Sequence, residues 1–211
     1  MENKHTHLVP EELEQLERLS LTDKHMKLQK SLDAFLFCCY AGMRYSDFTN
    51  LSKKNIVDIN QETWLIYKSV KTGTEVRLPL YLLFAGKGIV ILNKYRNNLE
   101  NFFRLRDNSN INKDLIIIAK LAGLSKKISF HTARHTNATL LIYNGVNITT
   151  VQKLLGHKSV KTTQVYTNIM DMTIVHDLEK IKQAALGIKK KTDNSFNTVS
   201  YTHLRAHETS A

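Results

Sequence analysis

The side chains with the most legible chemistry lie between His131 and Tyr166. His131, Arg134 and His135 stand within about a helical turn of one another, His157 follows in Leu-Leu-Gly-His, and Tyr166 sits in Thr-Thr-Gln-Val-Tyr-Thr. These histidines have no metal-ligand spacing, and no carboxylate lies among them. Arginine is a permanent planar cation matched to phosphate oxygens, and histidine can trade a proton near neutrality. A tyrosine beside them is a candidate nucleophile, so the stretch points to phosphate chemistry.

The elements that must position these groups can be read from periodicity. Pro10 followed by Glu11, Glu12 and Glu14 suits a helix first turn, and Leu13, Leu16 and Leu19 continue its stripe. A longer apolar helix is expected over 28–43, with Arg44 where it gives way to a turn and Asp47 within helical reach of Arg44. Trp64–Val70 and Val76–Leu80 alternate around Lys71-Thr72-Gly73-Thr74, which predicts a β-hairpin with Lys71 at the end of its first strand and Pro79 stopping the second. Residues 81–97 read as a helix interrupted at Gly86 and Gly88, and the asparagine-rich 99–113 as helix end and loop. Helices follow over 114–124, from Ser129-Phe130 to Asn144-Gly145, and over 148–155 with Gly156 as cap. A further helical turn at 160–166 and an amphipathic helix at 172–186 complete the pattern. The fold class expected is mainly α with a small antiparallel β-sheet.

The 211 residues carry a net charge of +11, which favours a polyanionic partner, nucleic acid first. The adjacent Cys38 and Cys39 lie in an apolar run and read as buried small hydrophobes in a reducing cytosol. No apolar run is long enough to span a membrane, and no signal peptide is recognisable.

Three boxes make the reading specific. AGMRYSDFTNL at 41–51, HTARHTNAT at 131–139 and LLGHKSVKTTQVYTNI at 154–169 closely resemble the tyrosine recombinases, the phage-integrase family, in the flavour of integrases from bacterial conjugative and mobilizable elements. The resemblance covers roughly residues 8–185, the family's catalytic domain with its DNA breaking-rejoining fold. It implies that Arg44 is the first arginine, Lys71 the hairpin lysine, His131 and Arg134 the HxxR box, His157 the following His/Trp position and Tyr166 the nucleophile.

The chemistry explains these residue types. A phosphodiester's transition state gathers negative charge on its non-bridging oxygens, which two arginines can bind in planar forks. Tyrosine has an ordinary pKa of about 10 and needs help to lose its proton; the arginines ease ionisation and His131 can accept the proton. Lys71 is the candidate acid for the departing 5′ oxygen, with Lys68 as its competitor on the hairpin. His157 can hydrogen-bond a phosphate oxygen. The 3′-phosphotyrosyl product keeps the bond energy, so joining calls for neither ATP nor metal, and no cofactor is expected. Asp47 is read as an orienting partner of Arg44 and His135 as a core neighbour of the site. Lys53, Lys54, Lys126, Lys127, Lys158 and Lys161 are read as contacts to the DNA backbone.

The resemblance further implies double-stranded DNA as partner, a homotetramer on paired sites, exchange of the 172–186 helix between protomers, and a location in the bacterial cytoplasm on the nucleoid. The other readings are a type IB topoisomerase-like enzyme and a truncated, non-catalytic DNA-binding remnant. Residues 1–9 are expected to be a loose lead-in, 10–188 the catalytic domain and 189–211 a disordered tail. The run VSYTHLRAHET at 199–209 resembles a translated sequencing adapter, so about 198–211 is set aside together with Tyr201, His203 and His207. The family's N-terminal core-binding domain has no counterpart in this stretch of chain, which reads as either a gene fragment or a minimal recombinase, the adapter-like tail favouring the fragment.

Overall fold

A computed structural model describes residues 6–166 and the single positions 178 and 182. The elements below fall in one unit, Met1–Ile169. The 172–186 helix lies outside the described residues except at Leu178 and Lys182, and the 189–211 tail lies outside them altogether.

The chain enters differently from expectation. Residues 6–9 are not a loose lead-in: Leu8 is fully buried, and its amide donates to Thr136 Oγ1 at 2.9 Å. Helix α1, Pro10–Glu17, then starts on its proline, with Glu12 reaching back to accept from the Val9 amide at 3.0 Å. After a 3₁₀ turn, Asp23–Leu28, comes α2, Gln29–Ala41. Every residue from Ser31 to Ala41 is buried, so α2 is the central rod of the core, apolar over most of its surface apart from Ser31 and Asp33. Its one buried carboxylate, Asp33, accepts from Lys94 Nζ at 2.9 Å and Tyr95 Oη at 2.8 Å.

Gly42 ends α2 in the left-handed region (φ 66) and turns the chain into α3, Tyr45–Thr49. Arg44 therefore stands at the N-terminal cap of α3 rather than trailing α2. A 3₁₀ turn at Lys53–Asn55 leads into a three-stranded antiparallel sheet, ordered β1 (Ile56–Ile59), β2 (Glu62–Lys68), β3 (Glu75–Pro79). The expected hairpin is the β2–β3 pair, and β1 is an addition. β1 turns into β2 through Asn60 and Gln61, both with positive φ (53 and 67), the pattern of a primed hairpin turn without its usual glycine.

β2 stops at Lys68, short of the expected Val70. The amide of Val70 is taken by Asp47 Oδ1 at 2.8 Å, and Ser69 closes the turn by donating to Thr74 O at 2.9 Å. Lys71 thus lies in the turn itself, exposed, and not at a strand end.

Beyond β3, Phe84, Ala85 and Gly86 form a left-handed turn, after which α4 runs Lys87–Lys94. Gly88 does not interrupt this helix; it lies inside it against Phe37. The 99–113 region is more helical than expected. It holds α5, Leu99–Phe103, and the start of α6, Asn108–Leu121. Asp107 caps α6 by accepting from the Asn110 amide at 3.0 Å, and Ile111 extends the buried line of Leu115 and Ile118 back by a turn. The helices α7 (Phe130–Tyr143), α8 (Ile148–Leu155) and α9 (Lys161–Gln164) complete the described chain. α7 packs along α2, with Asn137 Nδ2 donating to the Cys39 and Tyr40 carbonyls at 2.9 and 3.0 Å. Phe37, Phe48, Phe102, Phe103 and Phe130 join α2, α3, α5 and α7 through tilted and edge-on ring contacts at 5.3–6.2 Å. Cys38 and Cys39 are free thiols in this core. Among the described residues no helix is long and apolar enough to cross a membrane.

Candidate active site

Four pieces of chain converge: the α2–α3 turn, the β2–β3 turn, the first half of α7, and the segment from Gly156 through α9. Arg134 is the best anchored residue among them. It is 1% exposed, and its guanidinium donates to Gly42 O at 2.7 Å and Leu155 O at 2.6 Å. Those carbonyls end α2 and α8, where helical carbonyls lack intrahelical partners. Gly42 and Gly156 both leave their helices with positive φ (66 and 62), and this sets the carbonyl directions. A Cβ on Gly42 would meet Asn137 Oδ1 at 2.6 Å and Leu155 Cδ2 at 2.8 Å.

Arg44 approaches from the opposite wall. Its Nη1 donates to Ser69 Oγ at 3.3 Å and lies 3.5 Å from Asp47 Oδ2. Asp47 is 1% exposed and draws Arg44, the Ser69 hydroxyl and the Val70 amide together. Ser69 was not legible in advance. A lone serine after a strand has no pattern, and its value comes only from the fold.

Tyr166 is 5% exposed. Burial pushes its hydroxyl above the ordinary tyrosine range, while the charges of Arg134 and Arg44 and a hydrogen bond from Arg134 pull the other way. The Arg134 guanidinium falls to about 10, through burial first and then repulsion from Arg44, and so remains charged at neutral pH. The Tyr166 ring lies parallel to the His157 ring at 6.5 Å and tilted to the His135 ring at 5.4 Å.

His157 follows Gly156 and is 7% exposed. Its Nδ1 is 2.9 Å from Thr163 Oγ1. Burial, then the charges of Arg134, Arg44 and Lys71, lowers its pKa to about 4, leaving it neutral near pH 7. Lys71 thus lies close enough to act on His157, whereas Lys68 is an exposed strand residue opposite Glu75. The turn carrying Lys71 is fastened to the same segment: Thr72 Oγ1 donates to Gly156 O at 3.1 Å. Thr72 was another residue that spacing could not single out.

His131, in the first turn of α7, is exposed and faces a cleft of about 340 Å³ lined also by Arg44, Tyr45, Ser46, Asn108 and Phe130. Its ring stands edge-on to that of His135 at 4.3 Å, and His135 is 6% exposed, in keeping with its reading as a neighbour in the core. Of the lysines assigned to DNA, Lys53, Lys54, Lys127, Lys158 and Lys161 are exposed. Lys126 is engaged elsewhere, bound to Glu12 at 2.6 Å and to His7 O at 3.1 Å, where it pins the N-terminal segment. Among the described residues no cluster of three His, Cys, Asp or Glu could hold a metal ion.

Comparison with known proteins gives the family and the fold. The model of the phage integrase family matches residues 7–172. Tyrosine recombinase XerC of Rickettsia prowazekii is 30% identical over 159 residues, 71% of this chain and 49% of the relative. The crystal structure of XerA recombinase superposes with a TM-score of 0.65 at 24% identity, covering 83% of this chain and 64% of that one. XerH recombinase, in a post-cleavage complex with its palindromic difH substrate, gives 0.62 at 21% identity, covering 86% and 52%. The chain spans about half the length of the curated relatives it matches.

Proposed function

From the premise that the chain belongs to the phage integrase family, we propose that it is the catalytic part of a site-specific DNA recombinase, cutting and rejoining strands through Tyr166. The observation that carries this reading is the meeting of two arginines at the buried Tyr166 hydroxyl, with the His157 ring stacked parallel to the tyrosine ring at 6.5 Å.

Arg134 and Arg44 bind the non-bridging oxygens of the scissile phosphate and stabilise the charge that gathers there. The Tyr166 oxygen attacks phosphorus, and His131 accepts its proton. The 5′ oxygen leaves with a proton from Lys71, and the 3′ phosphate stays on Tyr166. Attack by a 5′ hydroxyl on that link reverses the steps, so no external energy source enters. His157 donates a hydrogen bond to a phosphate oxygen. The substrate is double-stranded DNA, two sites paired by a homotetramer in the bacterial cytoplasm, and the outcome is integration or excision of a mobile element.

A nicked suicide duplex, whose short product diffuses away after cleavage, tests this. The native chain should form a covalent 3′ adduct and Tyr166→Phe should not. Equal adduct from both proteins would overturn the assignment of Tyr166, and none from either would leave DNA binding without catalysis. Relaxation of supercoiled DNA without pairing of sites would instead mark a topoisomerase.

A further inference from the structure

His157 and Thr163 form a buried pair beside the nucleophile. The Thr163 hydroxyl is 2.9 Å from His157 Nδ1, and Thr163 is 0% exposed. A neutral imidazole carries one N–H and one lone pair, and which nitrogen holds the proton depends on what the other nitrogen meets. Two arrangements are open. In the first, the threonine hydroxyl donates to Nδ1 and the ring proton sits on Nε2. In the second, Nδ1–H donates to the hydroxyl oxygen and Nε2 presents a lone pair.

The surroundings of Thr163 separate them. Among the described residues, its hydroxyl has His157 as its hydrogen-bond partner, without the bond back to a preceding helical carbonyl that threonine often makes. The second arrangement strands the hydroxyl proton in a fully buried place, at the cost of an unmade hydrogen bond. The first satisfies it and leaves a donor on Nε2. Phosphate oxygens only accept, so only the first arrangement lets His157 bond a phosphate. Threonine's branched Cβ restricts the hydroxyl to few rotamers. Its backbone is held as well: the Thr163 amide donates to Val160 O at 2.7 Å, and its carbonyl accepts from the Tyr166 amide at 3.1 Å.

We propose that Thr163 is a positioning residue that fixes His157 as an Nε2–H donor toward the scissile phosphate. This rests on the reading of His157 as a phosphate contact. Thr163 touches no reacting atom; it sets the tautomer and orientation of the ring that does. The same residue ties the His157 ring to the backbone of Tyr166, so donor and nucleophile share one support.

The test uses the full chain labelled with ¹⁵N-histidine, near pH 7, together with single-turnover cleavage of the nicked duplex. His157→Gln identifies the His157 signals by their loss. The wild-type His157 should show a protonated Nε2 and an unprotonated Nδ1. Thr163→Val, close to isosteric, should redistribute the two tautomers and slow cleavage roughly 10- to 100-fold, with DNA affinity little changed and the thermal midpoint lowered by only a few degrees. Thr163→Ser should restore both tautomer and rate. Adding Thr163→Val to His157→Gln should cost nothing further, since the two act through one ring. A protonated Nδ1 in the wild type would overturn the proposal. So would a Thr163→Val protein that cleaves normally while His157→Gln is slow. Normal cleavage by His157→Gln would instead remove the phosphate contact itself, and with it any catalytic role for Thr163.

Discussion

The two arginines of the site are held in opposite ways. Arg134 is buried, and both ends of its fork are fixed on helix-terminal carbonyls at 2.6 and 2.7 Å. Arg44 keeps 15% of its side chain exposed, and its contacts to Ser69 and Asp47 are longer, at 3.3 and 3.5 Å. Lys71 completes the contrast, an exposed side chain on a turn fastened through Thr72. One wall of the site is therefore built into the α2–α7 core, and on the proposed mechanism its residues serve the fold as much as the chemistry. The other wall is a turn resting on that core, and on the same mechanism its residues serve the chemistry more than the fold.

Substitutions should separate the two walls. The largest effect is expected at the core wall. Arg134→Ala leaves the Gly42 and Leu155 carbonyls unpaired in a buried place and should cost about 3 kcal/mol or more of stability, read by urea unfolding, besides abolishing cleavage. Gly42→Ala comes next. Its positive φ and the close approach of Asn137 and Leu155 should cost about 2–3 kcal/mol and loosen Arg134 indirectly. Arg44→Ala should reverse the pattern, with a smaller loss of stability than Arg134→Ala, because Asp47 keeps the Ser69 hydroxyl and the Val70 amide as partners, and with cleavage lost. If Arg44→Ala unfolds the protein as readily as Arg134→Ala, the distinction between the walls fails.

Lys71→Ala should be nearly silent in unfolding, within about 0.5 kcal/mol for an exposed side chain, yet slow cleavage strongly. A duplex with sulfur in place of the 5′ bridging oxygen should recover the rate, because a thiolate leaves without a proton. Thr72→Val should behave as a weaker copy, with the same recovery. Failure of the sulfur substrate to help either variant would remove Lys71 from the role of acid.

A smaller effect distinguishes the walls by pH. His157 has its pKa lowered from 6.5 to about 4 in the folded chain. The unfolded chain then binds more protons between those values, so its contribution to stability is fully present above pH 6.5 and is lost as pH falls toward 4. The His157→Gln protein should show a flatter stability profile than the wild type over that window, and identical profiles would contradict the buried, neutral assignment.

How much of this was legible before folding depends on what each residue's role rests upon. Arg44, His131, Arg134, His157 and Tyr166 stand in short boxes whose spacing survives in any view of the chain, and the Lys71 turn declares itself by Lys-Thr-Gly-Thr. The fold class followed from helical periodicity with one alternating pair of strands. What stayed hidden was tertiary or weakly patterned. β1 is a short strand whose turn uses Asn60 and Gln61 in place of glycine. The start of α6 shows a single buried residue, Ile111, in a polar run. Ser69, Thr72 and Thr163 are small hydroxyl residues whose importance lies in partners far away in space or several residues on. Lys126 looked like any surface cation until Glu12 and the His7 carbonyl were found beside it.

The central claim is that Tyr166 becomes joined to DNA at a 3′ phosphate. The most direct measurement is to trap the adduct on the suicide duplex, digest both protein and DNA, and locate the nucleotide-bearing peptide by mass spectrometry. The account predicts a single modified peptide carrying a 3′-phosphotyrosyl nucleotide at Tyr166. A nucleotide on any other residue, or one attached through a 5′ phosphate, would contradict it.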